Sequence, residues 1–139
     1  MSHTAPDVTL VRDAIHNPAE PRHFMRVLPF AGSVVVRAGE VEIGRSTQAL
    51  EVREVAYDIY PAVFYLPRAD LDMARLRANP RTTHCPLKGD TEYFDIATDA
   101  GLIAEAAWSY VEVIEPAAVL RGYVAFDTRK VEVRTERAR

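Results

Sequence analysis

The chain has 139 residues, of which 48% are hydrophobic, and this length and composition suit one domain with one core. Seventeen Lys and Arg residues against twenty Asp and Glu residues give a formal charge of -3, so no basic field favours nucleic-acid binding. No apolar run approaches the roughly 18 residues of a membrane span, and the first residues lack the basic and apolar regions of a secretory signal.

The single cysteine, Cys85, cannot form an internal disulfide, and a free thiol suits a reducing compartment. We therefore expect a cytoplasmic protein with neither a membrane nor a nucleic-acid partner. The four histidines are scattered, and none forms a ligand pair at a recognised spacing. Glycine-rich phosphate and dinucleotide motifs are also absent, so the sequence predicts no metal site and no cofactor.

Residues 1–32 are predicted to form a helix and an extended arm that pack on the domain. Thr4 could cap a helix over residues 4–15, in which the apolar residues Leu10, Val11, Ala14 and Ile15 fall at helical spacing. The dipeptide Asn17-Pro18 would end this helix. Three prolines in residues 16–29 then favour an extended arm over regular structure.

Residues 33–139 have the pattern of a single mainly β, or α+β, domain of antiparallel hairpins. Alternating apolar residues predict hairpins over residues 33–44, 91–110 and 122–133, and single strands over residues 50–55 and 63–66. One internal helix is predicted over residues 71–76, with Asp70 as its cap and Asn79-Pro80 as its end.

The segment 81–94 is the densest cluster of reactive groups, and loops held by a scaffold often carry binding residues. Arg81 and Lys88 could hold an anion together with nearby hydroxyl and backbone N–H groups. A solvated connection is the alternative, because Pro and Gly are common in such loops. His84 and Cys85 are adjacent, so on an extended chain their side chains point in opposite directions, and Cys85 also suits a core position.

Aromatic residues form a second candidate group, in which Trp108 and Tyr110 share one face of a strand and Ser109 lies on the other. Such residues serve either the core or an apolar pocket. With a turn centred on residues 99 and 100, Thr91 pairs with Trp108 and Gly89 with Tyr110. This register brings Lys88 and Tyr110 to the same open end of the hairpin.

Five strings, spread over about residues 13–133, resemble the family known as domain of unknown function 427 (DUF427), sometimes labelled nucleotidyltransferase-like. They are Asp13-Ala14-Ile15-His16-Asn17-Pro18, Tyr65-Leu66-Pro67-Arg68, Thr83-His84-Cys85-Pro86-Leu87-Lys88-Gly89-Asp90, Tyr93-Phe94 and Ala107-Trp108-Ser109-Tyr110.

The resemblance implies a compact two-sheet β-tent fold, similar to methionine sulfoxide reductase B and to the thalidomide-binding domain of cereblon, which use a cleft between two sheets. Many β-tent proteins hold zinc with four cysteines, but this chain has only Cys85, so the resemblance implies the fold and not the metal. Nucleotidyl transfer needs metal-binding carboxylates, and Asp70 and Asp72 are the only close pair of aspartates in the chain.

The leading hypothesis is a small-molecule-binding domain for an anionic ligand, with catalysis left open. Arg81 and Lys88 would hold the anionic group, Trp108 and Tyr110 would stack on a planar part, and His84 would exchange a proton. The remaining ligand-binding candidates are Thr83, Asp90 and Tyr93. One alternative is a transferase or redox enzyme that uses His84 or Cys85; the other is a protein-interaction module that uses the same aromatic residues.

Overall fold

A computed structural model describes residues 12–139, and strands dominate this part of the chain. Its twelve strands are β1 (Ile15–Asn17), β2 (Glu20–Pro29), β3 (Gly32–Ala38), β4 (Val41–Ser46), β5 (Leu50–Val55), β6 (Val63–Pro67), β7 (Leu76–Asn79), β8 (His84–Cys85), β9 (Gly89–Thr98), β10 (Gly101–Val113), β11 (Tyr123–Phe126) and β12 (Glu132–Arg137). All pairings between them are antiparallel. The predicted mainly β fold of antiparallel hairpins is confirmed.

The strands form a large sheet and a small sheet. The large sheet has the order β1-β2-β5-β6-β11-β10-β9-β7, with β8 paired to β9, and the small sheet has the order β12-β3-β4. The predicted hairpins over residues 33–44 and 91–110 are confirmed as β3–β4 and β9–β10, and the predicted single strands as β5 and β6.

The core consists of two apolar clusters. Residues that alternate along the strands of the large sheet belong to one cluster or the other. One cluster joins the small sheet to the large one and includes Val34, Val36, Ile43, Leu66, Ile96 and Phe126. The other includes Met25, Val52, Tyr65, Leu120 and Ala125. Tyr65 and Leu66 are neighbours in β6 but belong to different clusters, because adjacent side chains point to opposite faces of a sheet. The large sheet is therefore buried on both faces at β6.

The predicted helix over residues 71–76 is wrong. Two single-turn 3-10 helices, Arg68–Asp70 and Met73–Arg75, precede strand β7 instead. Tertiary contacts overrule the local signal: the Asp70 carboxylate accepts a hydrogen bond from Ser46 Oγ at 2.6 Å rather than capping a helix. Leu76 pairs with Ile96 of β9. No helix within residues 12–139 is long and apolar enough to cross a membrane.

Two predictions concern the N-terminal part of the chain, a helix over residues 4–15 and an extended arm over residues 16–29. Most of the predicted helix over residues 4–15 lies outside the described residues. The predicted arm is regular structure, because β2 pairs with β1 on one side and with β5 on the other. Pro29 ends β2, a position where its missing N–H costs no ladder hydrogen bond.

The predicted hairpin over residues 122–133 is also wrong, although its turn forms at Asp127. Strand β11 lies between β10 and β6, so neither of its edges is free for the following strand. The chain therefore crosses to the small sheet, where β12 pairs with β3.

The β9–β10 hairpin carries a bulge that changes the predicted register. Pairing is as expected near the turn, but beyond Ile103 the register shifts, and Glu105 adopts a positive φ of 51°. Trp108 consequently faces Tyr93, and Tyr110 faces Thr91. A shift of two residues keeps each side chain on its original face, so Trp108 and Tyr110 still share a face with Tyr93.

Candidate functional site

A tight turn between β8 and β9 places Lys88. The Lys88 N–H donates to the Cys85 carbonyl at 3.2 Å, which makes Pro86 the second residue of a β-turn, where its fixed φ is favoured. Leu87, only 2% exposed, anchors the turn in the apolar cluster around Met25. The turn therefore directs Lys88 inward, and its side chain is 6% exposed.

Glu54 of β5 is the counter-ion of Lys88. The ammonium donates to Glu54 Oε1 at 2.5 Å, and His23 Nε2 lies 2.8 Å from the other carboxylate oxygen. Burial disfavours the charged Glu54, but the attraction and hydrogen bonds of Lys88 and His23 outweigh it and lower the Glu54 pKa. Burial likewise opposes charge on Lys88, but the neighbouring Tyr65, Glu54 and Cys85 and the hydrogen bond to Glu54 raise its pKa. Both groups are therefore charged at neutral pH.

Aromatic rings surround this ion pair. Lys88 Nζ lies 5.7 Å from the centroid of the Tyr110 ring, and the rings of Tyr110 and Tyr65 are 6.5 Å apart. Trp108 Nε1 donates to the Tyr65 hydroxyl at 3.4 Å, and the rings of Trp108 and Tyr93 are 6.5 Å apart. The sequence prediction that Lys88 and Tyr110 meet at one end of the hairpin is confirmed.

The two buried phenols remain protonated at neutral pH. Burial raises the pKa of Tyr65, and burial together with the neighbouring Tyr65 raises the pKa of Tyr110. The Tyr110 hydroxyl has no hydrogen-bond partner among residues 12–139. It is not fully enclosed, because no buried side-chain oxygen among these residues lacks a partner, so it is a free donor open to solvent.

The bulge in β10 positions Arg81. Asp95 Oδ1 accepts the Glu105 backbone N–H at 2.9 Å and the Asn79 side-chain amide at 2.8 Å. Both hydrogen bonds lower the Asp95 pKa, and the bond from the Glu105 backbone has the larger effect. The Glu105 carboxylate then pairs with Arg81 at 2.7 Å, and the guanidinium lies 4.8 Å from the Tyr93 ring centroid.

These groups line a cavity of about 780 Å³. Five of the predicted site residues contribute to it: Arg81, Lys88, Tyr93, Trp108 and Tyr110. The lining also includes Glu54, Tyr60, Tyr65, Glu105 and the connection 127–130. Four basic and three acidic side chains line the cavity, and within residues 12–139 Lys130 bonds only to the carbonyl oxygens of residues 104 and 105.

The other predicted site residues do not line this cavity. His84 Nδ1 pairs with Asp90 at 2.7 Å, and both side chains are at least half exposed. Thr83 contacts a residue that lines the cavity, because its hydroxyl lies 3.2 Å from the Tyr93 hydroxyl and 2.9 Å from Thr91 Oγ1. His84 and Cys85 form no imidazole–thiol pair, as expected for neighbours on a strand.

A family model described as domain of unknown function (DUF427) matches residues 26–137. The chain belongs to this family. The resemblance inferred from the five strings is thereby confirmed, although the first of them, at residues 13–18, precedes the matched region. No curated protein matches the sequence.

Cys85 of this DUF427 domain is half-buried and packs against the apolar cluster around Met25. Its thiol accepts a long hydrogen bond from Lys88 Nζ at 3.7 Å, much weaker than the Lys88 bond to Glu54. We predict that Cys85→Ser folds with a loss of at most about 2 kcal/mol and retains ligand affinity, since only a small, partly buried group changes. Urea unfolding and a binding titration would measure both. A folded variant without affinity would instead make the thiol part of the site.

The sequence prediction missed Glu54, although β5 carries a signal for it. Leu50 and Val52 alternate with Glu51 and Arg53, so Glu54 occupies the position of an inward-facing apolar residue. A charge at such a position requires a buried partner.

Within residues 12–139 of this DUF427 domain, no three His, Cys, Asp or Glu side chains are grouped so that they could hold a metal ion.

Proposed function

We propose that this DUF427 domain binds a small organic anion in the cavity of about 780 Å³, whose volume falls within the range of small-molecule sites. The observation that carries the proposal is Tyr110, which lines the cavity with its ring 5.7 Å from the ammonium of Lys88 and whose hydroxyl has no hydrogen-bond partner among residues 12–139. A free donor beside a cation on the wall of a cavity is one of the few polar groups that orient a ligand in small-molecule sites.

The polarity of the site supports an anionic ligand group. Lys88, Tyr65 and Tyr110 can all donate hydrogen bonds, and the pKa values of both phenols are raised by burial, which preserves their protons. An anionic oxygen accepts several such bonds, and charge-assisted bonds of this kind are stronger than neutral ones.

A cationic ligand is disfavoured for a separate reason. Cations bind aromatic cages through the faces of the rings. Here the protein's own cations already lie over two of the rings: Arg81 over Tyr93 and Lys88 over Tyr110. Trp108 carries no such cation among the described residues, so its ring can contact a planar, apolar part of the ligand.

Binding is proposed here without catalysis by His84. Its imidazole does not line the cavity and is paired with Asp90 at 2.7 Å. Lys88 is held as a cation, which suits anchoring an anion but not attack as a free amine.

The chain's single tryptophan lines the cavity, which makes intrinsic fluorescence a direct readout of occupancy. We suggest a screen of nucleotides, sugar phosphates and aromatic carboxylates that records both melting temperature and Trp108 emission. A true ligand should stabilise the protein by about 2.7 kcal/mol at a hundredfold excess over its dissociation constant. It should also change the Trp108 emission. Stabilisation without any change in emission would place the ligand elsewhere.

Tyr110→Phe should weaken binding of that ligand about tenfold or more, because it removes one hydrogen bond to a charged group. Its effect on stability should be small, since the hydroxyl has no protein partner within residues 12–139. Tyr57→Phe, at a fully exposed position away from the cavity lining, is the matched control. Equal affinities of Tyr110→Phe and the control, measured by titration calorimetry, would contradict the proposed site.

A further inference from the structure

Two arginines lie directly opposite each other on neighbouring strands of the large sheet. Arg26 of β2 pairs in register with Arg53 of β5, so both side chains project from the same face. Like charges at directly opposed positions of an antiparallel pair are destabilising. A negative charge bound nearby would stabilise such a pair.

Residues 12–139 supply little of that charge. Arg26 is half-buried and donates to the Arg12 carbonyl oxygen at 2.9 Å, and no carboxylate within residues 12–139 forms an ion pair with it. Arg53 has only Glu51, at a loose 3.4 Å, and Arg137 approaches the same carboxylate at 3.9 Å. Arg53 and Arg137 therefore share one carboxylate, and Arg26 has none among the described residues.

A second cavity, of about 460 Å³, opens beside these arginines. Its other walls are apolar for the most part, with Phe24, Val55, Ile59 and Tyr60 among them. Ile59 is 79% exposed, so its side chain is accessible to a ligand. Glu54 and Tyr60 separate this cavity from the first, whereas Trp108 and Lys88 line only the first.

We propose that this second cavity binds a small organic anion with an apolar body, whose phosphate or carboxylate lies between Arg26 and Arg53. The planar guanidinium groups suit both anions, because each can donate two parallel hydrogen bonds to them. Phe24 and Ile59 contact the apolar body, which selects such ligands over inorganic phosphate. The bound charge also relieves the repulsion between the two arginines.

Phenyl phosphate and benzoate are suitable probes, with benzyl alcohol as the neutral analogue and inorganic phosphate as the ion without an apolar body. At millimolar concentration, at least one of the two organic anions should raise the melting temperature by several degrees, and neither control should match it. Trp108 emission should not change, since Trp108 does not line this cavity. Arg26→Gln and Arg53→Gln should each lower the affinity for the stabilising organic anion about tenfold or more.

Arg45→Gln is the matched control, because Arg45 is similarly exposed but pairs with Glu42 on the small sheet. It should leave binding of the probe unchanged. If the Arg26 and Arg53 variants bound the probe with the same affinity as the wild type, the proposal would be overturned. So would a change in Trp108 emission that disappears with Tyr110→Phe, because the probe would then occupy the first cavity. No stabilisation by either organic anion would overturn it too.

Discussion

Lys88→Met should destabilise the protein by about 3 kcal/mol, because it leaves the Glu54 carboxylate buried without its cation. The Glu54 side chain is only 20% exposed and would retain His23 alone. Glu54→Gln should be destabilising for the converse reason, since Lys88 would lose its anion. The double variant Lys88→Met/Glu54→Gln should recover most of the loss, because no unpaired charge remains. Urea unfolding of all four proteins measures this cycle, and additive losses would contradict the ion pair.

The same pair makes stability depend on pH with a known sign. The Glu54 pKa is lowered from 4.5, so its contribution is complete above that value and is lost as the pH falls through the lower folded-state pKa. The Lys88 pKa is raised from 10.5, so its contribution is complete below that value and is lost as the pH rises through the folded-state pKa. Compared with Lys88→Met/Glu54→Gln, the wild type should lose additional stability outside the interval between these values.

Gly89→Ala should have the second large effect, a loss of at least about 3 kcal/mol, because strain and a steric clash add. Gly89 has a φ of 117°, and a Cβ atom there would lie 1.9 Å from the Glu112 carbonyl oxygen. This close approach is what allows the turn before Gly89 to direct Lys88 inward. The shift needed to avoid the clash should also weaken ligand binding.

Gly101→Ala is a matched control for this prediction. Gly101 has a similar φ of 123°, but a Cβ atom there would meet nothing within 4 Å. It should therefore show the backbone strain alone, about 1 to 2 kcal/mol. Equal losses of stability in the two variants, measured by urea unfolding, would show that the contact with Glu112 is not important.

Period-two alternation predicted the strands well, because burying one face of a strand imposes that pattern directly on the sequence. It predicted the β9–β10 hairpin and the meeting of Lys88 with Tyr110. It did not predict the bulge, which depends on Asp95 accepting the Glu105 N–H across the hairpin. Such a contact has no local periodicity, so the register was wrong although the faces were right.

The predicted site was incomplete for a similar reason. Residues 81–94 are close in sequence, and their chemistry is visible there, but Glu54 and Tyr65 reach the site from β5 and β6. The partner of Lys88 is 34 residues away along the chain. His84 looked catalytic because of its neighbours, yet strand alternation directs Cys85 toward the core and leaves His84 exposed.

A double-mutant cycle on ligand binding tests most directly whether residues 81–94 and the strand with Trp108 and Tyr110 form one site. One change is Trp108→Phe, and the other is the charge-free Lys88→Met/Glu54→Gln. Calorimetry with the anion identified in the screen should give a coupling of about 0.5 to 3 kcal/mol between them. Binding losses that add to within about 0.3 kcal/mol would contradict a single ligand site.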